Sequence, residues 1–186
     1  QAARFDAEES SVTHHVPKLG ELGLMGMNVP QQWGGPGVSC AGMLLALVEV
    51  ARACAATSSM IGAHYLGTDS ILIAGNDLQR ARYLPRAATG SLLGAFALTE
   101  PAGGSNPADL STTAVREGDR YRLTGTKQFI SNAGEAGFIV VYAKTDPAAG
   151  ARGVSTDVVE ASARAFLHAV NKVIAGTAGP HRTDKP

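Results

Sequence analysis

The chain has 186 residues, enough to bury a sizeable core as one domain or two small ones. Lys plus Arg total 16 and Asp plus Glu total 16, with no basic or acidic block, which argues against backbone-driven nucleic-acid binding. Only 17% of residues are charged, against roughly 25% in an average domain, so part of the surface is expected to meet another surface.

Gln1 to Glu9 is acidic and has no hydrophobic core of its own, so it does not read as a signal peptide. It begins without an initiator Met, so the chain is expected to be a fragment. Val16 to Leu24 carries apolar residues at helical spacing and stops at glycine. Met27 to Gly37 then sets one Trp among Pro and Gly, which predicts an ordered loop. From Cys40 the helical pattern resumes, with Leu44, Leu47, Val48 and Ala51 forming one apolar stripe. Cys40 and Cys54 read as members of that one helix, about 21 Å apart along its axis at 1.5 Å per residue, too far to bridge. Two free thiols fit a reducing, cytoplasmic compartment. A second helix over Ser58 to Ala74, almost uncharged, is expected to be buried on most faces. Gly75 and Asn76 separate it from a third helix that ends at Gly90.

The period then changes. Leu93 to Leu98 reads as a strand ending at Thr99-Glu100-Pro101, where Pro101 biases Glu100 away from helix. Thr112 to Arg116 and Tyr121 to Thr124 flank Glu117-Gly118-Asp119-Arg120 as a hairpin, with Tyr121 and Leu123 on one face. Phe129-Ile130 and Phe138 to Ala143 are expected to add strands. Strands in succession without intervening helices predict an antiparallel sheet. Beyond Ser155 a helix is predicted, capped by Asp157 with Glu160 three residues on and running to about Ile174, before a frayed tail. The expected class is α+β: a helical N-terminal domain over 1–90, an antiparallel β-domain over 91–155, and a C-terminal amphipathic helix with its tail over 156–186. No run reaches the ~18 apolar residues of a membrane span.

Motifs for common chemistries are missing. Gly20, Gly23 and Gly26 have the wrong spacing for a dinucleotide fingerprint, and no phosphate-cradling P-loop occurs. The five His are scattered without Cys or carboxylates at metal-ligand spacing. No Gly-x-Ser-x-Gly elbow supports a serine hydrolase. The densest cluster of unusual residues is Phe96-Ala97-Leu98-Thr99-Glu100-Pro101-Ala102-Gly103-Gly104-Ser105-Asn106. Such a turn offers backbone N–H groups and the hydroxyls of Thr99 and Ser105 to an acceptor-rich planar ring or a phosphate. Glu100 is read as a backbone tether rather than a base.

Four motifs together carry a family resemblance: Val29-Pro30 with Trp33-Gly34-Gly35; Gln79 with Arg82-Tyr83-Leu84-Pro85; Ala95 to Ser105; and Leu123-Thr124-Gly125-Thr126-Lys127-Gln128-Phe129-Ile130-Ser131-Asn132. In order and spacing they resemble the acyl-CoA dehydrogenases, from about Leu19 to Ser155. The resemblance implies FAD bound by the middle domain, with contacts from Phe96, Ala97, Leu98, Thr99, Gly104 and Ser105 and from Phe129, Ile130 and Ser131. Ser105 also meets the acyl-CoA. Ser131 stands where the family usually has Thr, and Asn106 where it usually has Asp. The implied reaction is α,β-dehydrogenation of an acyl-CoA thioester, with electrons passed to an electron-transfer flavoprotein and the enzyme a homo-oligomer. Its carboxylate base comes from a C-terminal helical domain that this sequence does not reach, so no catalytic residue is assigned. A non-catalytic remnant is the alternative reading. Residues 153–173 also resemble the end of 2-isopropylmalate synthase, a piece of a regulatory domain at most.

Overall fold

The computed structural model describes residues 2–8, 10–104, 106, 109–146 and 154–155. Helices come first: α1 (Ala2–Ala7), α2 (Val16–Glu21), α3 (Cys40–Ala53), α4 (Ala55–Ala74) and α5 (Asp77–Ala88), with 3₁₀ turns at Thr13–His15 and Gln31–Trp33. Strands follow: β1 (Gly94–Ala97), β2 (Thr113–Glu117), β3 (Arg120–Thr124), β4 (Phe138–Val141), β5 (Ala143–Lys144) and β6 (Val154–Ser155). The helix expected over 157–174 lies outside the described residues, as does Ser105. Among the described residues no helix is long and apolar enough to cross a membrane.

Helix α4 is the axis of the molecule. Met60, Ile61, His64, Tyr65, Thr68 and Ile71 are all buried on it, which a helix tolerates only when it has neighbours on most sides. Thr68 and Ser70 turn their hydroxyls back to the carbonyls of His64 and Leu66, at 3.3 and 2.8 Å, so these polar side chains sit inside without unpaired donors. Helix α5 opens with a reciprocal cap: Gln79 N–H donates to Asn76 Oδ1 at 2.9 Å and Asn76 N–H to Gln79 Oε1 at 2.8 Å.

The stripe expected on α3 is displaced. Met43, Ala46, Leu47 and Val50 pack on the core, whereas Leu44, Leu45 and Val48 are 54%, 69% and 51% exposed. The helix is apolar around nearly its whole circumference, so periodicity could not select the buried side. Cys54 is not in the helix either. It takes an extended conformation (φ −159°, ψ 104°) that ends α3 and starts α4, and both cysteines are free.

Strands β1 and β4 form a thin parallel layer between the helices and the rest of the β-structure. Phe138 and Val140 join Ile71, Tyr83 and Leu84 on the helical side, while Ala95, Ala97, Ile139 and Val141 face Leu123, Ile130 and Ala133. Every residue of β4 is buried, as a strand covered on both faces requires. The hairpin forms as expected, β2 pairing β3 with Glu117 opposite Arg120 around Gly118 at φ 65°. The wholly antiparallel expectation does not hold, because β1 pairs β4, and β2 pairs β5, in parallel. Such pairings join strands far apart in sequence, where local alternation carries no record of direction. Phe129-Ile130 is not a strand. Phe129 has φ 57°, a left-handed conformation outside any ladder.

Gly20 on α2 sits so close to the end of α5 that a Cβ there would stand 2.1 Å from the Thr89 carbonyl oxygen. Gly20→Ala is expected to destabilise the chain by about 1–3 kcal/mol through overpacking, read as a fall in Tm. An unchanged Tm would show that α2 can move aside freely.

Candidate functional site

The site grows from the C-terminal end of β1. Past Ala97 the chain runs into Glu100-Pro101-Ala102-Gly103, a tight turn closed by Glu100 N–H to Gly103 O at 2.9 Å and Gly103 N–H to Glu100 O at 3.0 Å. The carbonyls leading into it all point inward. Ala97 O accepts from Tyr142 N–H at 3.0 Å, Leu98 O from Lys127 Nζ at 2.9 Å, Thr99 O from Gln128 N–H at 3.0 Å, and Glu100 O also from Gln128 Nε2 at 3.2 Å. With the acceptors consumed, the donors are left: neither the N–H nor the hydroxyl of Thr99 has a partner among the described residues, nor has the Ser131 hydroxyl. Gly104 lies against Thr99, where a Cβ would come within 3.0 Å of its hydroxyl oxygen.

Glu100 is 1% exposed and holds the turn from beneath. One carboxylate oxygen accepts from the Ser111 N–H at 2.6 Å and hydroxyl at 2.5 Å; the other accepts from the Thr112 N–H at 2.9 Å, its hydroxyl at 2.5 Å and Lys127 Nζ at 2.8 Å. Burial pushes its pKa up, but Lys127 and the Ser111 and Thr112 donors outweigh it and hold the carboxyl well below the usual carboxylate range. Five donors leave no lone pair open to a substrate proton. The tether reading of Glu100 is the one its contacts support.

The second stretch meets the first through Lys127 and Gln128. Beyond them Phe129 is 85% exposed, Ile130 packs against the Ala95 to Val141 cluster, and Ser131 is exposed. The two stretches meet where Leu98, Thr99 and Glu100 bond to Lys127 and Gln128, the residues that lead into Phe129, Ile130 and Ser131. Phe96 and Ala97 end β1 and lead into the turn. Phe96 meets Tyr142 in a tilted ring contact with centroids 4.9 Å apart, and the Ala97 side chain is fully buried.

Three contributors escaped the sequence reading. Asn132, at φ 66°, donates from Nδ2 to Met60 O at 3.0 Å and Gly94 O at 3.1 Å, tying the turn after Ser131 to α4 and β1. Glu135 in that turn accepts from Ser11 Oγ at 2.8 Å and from the Thr13 hydroxyl, and an open cavity of about 400 Å³ lies between these segments and the start of α4, with Ile130 and Ser131 on its wall. His64 is wholly buried. Its Nδ1 accepts the Gly94 N–H at 2.9 Å while Nε2 faces Met25 O at 3.1 Å, which defines a neutral ring protonated at Nε2. Burial lowers its pKa to about 4, opposed only in part by the Met25 carbonyl. No local spacing marks such a histidine as a bridge between helix and strand. Among the described residues no group of three or more His, Cys, Asp or Glu could hold a metal ion.

The profile of the acyl-CoA dehydrogenase N-terminal domain matches residues 1–91, and that of the acyl-CoA dehydrogenase middle domain matches residues 95–178. An acyl-CoA dehydrogenase of Bacillus subtilis is 39% identical over 170 residues, covering 91% of this chain and 45% of that protein. Two solved chains share the fold. One, described as the electron transferring flavoprotein of Acidaminococcus fermentans, superposes with a TM-score of 0.77 at 34% identity, over 82% of this chain and 40% of that one. The other, an acyl-CoA dehydrogenase complexed with FAD from Bacillus anthracis, gives 0.67 at 38% identity, over 71% and 23%. This chain spans less than half the length of the curated relatives it matches, 45%, 42% and 44% for three of them. The order of helices and strands and the matches to two successive domain profiles place the chain in the acyl-CoA dehydrogenase family, of which it carries the N-terminal and middle domains.

Proposed function

We propose that the chain holds the isoalloxazine ring of FAD between Leu98, Thr99 and Gly104 on one side and Phe129, Ile130 and Ser131 on the other, as part of a site that dehydrogenates acyl-CoA thioesters. The observation that carries this is the polarity of the first stretch: its carbonyls are taken by Lys127 and Gln128, which leaves the Thr99 N–H and hydroxyl without a partner among the described residues, next to the segment that carries the exposed Phe129. A flavin edge is rich in acceptors and its faces are apolar, and these residues fit both. When bound, the flavin supplies the hydride acceptor. The residues present bind and orient it, and Ser105 is the residue proposed to meet the acyl-CoA. Phe96 and Ala97, at the end of β1, are proposed to complete the flavin contacts of the first stretch. An electron-transfer flavoprotein is the proposed electron acceptor, a homo-oligomer the proposed assembly and the cytoplasm the proposed compartment.

Thr99→Ala and Ser131→Ala are each expected to weaken FAD binding about two- to tenfold, the worth of one hydrogen bond. Flavin fluorescence titration reads it directly. A folded chain that binds FAD with neither substitution having an effect would sink this assignment. A second reading, a chain that holds the cofactor without turning over a thioester, draws on the carboxylates beside the site: Glu100 is saturated, and Glu135 is held by Ser11 and Thr13. Anaerobic addition of a saturated acyl-CoA separates the two, since only the dehydrogenating chain bleaches its flavin band.

A further inference from the structure

We propose that Glu100 and Lys127 are positioning residues that couple the segments 98–104 and 127–131 into one rigid cradle, an inference that rests on the flavin reading above. Both hydrogen bonds of Lys127 cross between the segments, to Leu98 O at 2.9 Å and to Glu100 Oε1 at 2.8 Å. Both of the Gln128 bonds cross as well, to Thr99 O and Glu100 O. Three of these bonds hold three successive carbonyls, those of Leu98, Thr99 and Glu100, and the fourth holds the Glu100 carboxylate, so the backbone on both sides of the Thr99 donors is fixed. The side chains of Lys127 and Glu100 are 3% and 2% exposed. A buried ion pair gives little net stability over packed apolar residues of the same size. Its presence answers a geometric demand: the Lys127 ammonium reaches a carbonyl and a carboxylate together, and the carboxylate balances its charge while remaining bound to Ser111 and Thr112.

Lys127→Met tests this, because Glu100 keeps its four other donors and stays anchored. In the free protein, hydrogen exchange is expected to show the Ser111 and Thr112 amides still protected and the Gln128 amide losing at least tenfold of its protection. FAD affinity is expected to fall at least tenfold. Glu100→Gln, which keeps the shape and removes the charge, serves as the second variant with the same loss at Gln128. Leu84→Ala, in the fully buried helical core, controls for general destabilisation. It should lower Tm while leaving FAD affinity within twofold. Unchanged Gln128 protection in Lys127→Met, unchanged FAD affinity in a chain that binds FAD, or an equal affinity loss in Leu84→Ala would each overturn the proposal. A wild-type chain that fails to bind FAD would refute the flavin reading, while the exchange at Gln128 would still decide whether the two segments are coupled.

Discussion

Replacing Glu100 by alanine is expected to destabilise the chain by about 3–5 kcal/mol, the usual consequence of removing one partner of a buried ion pair. The loss has three parts. Lys127 would be left at 3% side-chain exposure with only the Leu98 carbonyl as partner, either an uncompensated buried charge or an amine forced to give up its proton. The N–H and hydroxyl groups of Ser111 and Thr112 would lose their acceptor. The space of a fully buried side chain would also be left unfilled. Thermal or urea unfolding measures the effect, and a loss under 1 kcal/mol would mean that water or a rearranged loop replaces the carboxylate. The pH profile gives a second view. Because the folded pKa of Glu100 lies below its ordinary value of 4.5, its contribution is fully present above about pH 4.5 and is lost as the pH falls below that.

Stability is expected to fall earlier than that, by about 3 kcal/mol between pH 7 and pH 4, and His64 is the cause. The unfolded chain takes up a proton on this histidine near its ordinary pKa of 6.5, whereas in the folded chain burial delays uptake to about 4. The unfolded state therefore binds more protons throughout the window from 6.5 down to 4, and acid favours it. Protonation would also place a second N–H against the Gly94 N–H, since Nδ1 is an acceptor in the fold. His15 adds a smaller slope of the same sign, its pKa lowered by burial and by the neighbouring His14. Urea unfolding at a series of pH values in wild type and in His64→Leu checks this. The variant should be less stable at pH 7 but should lose most of the slope; a slope that survives intact would assign it to other groups.

The sequence was legible where one element decides its own fate. The change from helical to alternating period near residue 90, the Asn76 cap and the hairpin around Gly118 all depend on residues within a few positions, and all are found. Glu100 was readable as a tether because a carboxylate beside a turn commonly binds backbone, as it does here with the Ser111 and Thr112 N–H groups. Legibility failed where a choice belongs to partners distant in the chain. The packed face of α3 is chosen by α4, not by its own nearly uniform apolar surface. The parallel pairing of β1 with β4 joins residues separated by more than 40 positions. His64 bridges to Gly94 and Met25, and Lys127 reaches back to Leu98, so the roles of both follow from the fold. Phe129 shows the reverse difficulty. Two apolar residues in succession suggested a strand, and only the backbone reveals a left-handed turn presenting the ring to solvent.

The account stands on the claim that this chain holds a flavin. The most direct test is the visible absorption spectrum of the folded chain after incubation with FAD and removal of free cofactor by gel filtration. The account predicts a retained flavin band that shifts or weakens on substitution of Thr99 and of Ser131. A folded chain that emerges colourless would contradict it.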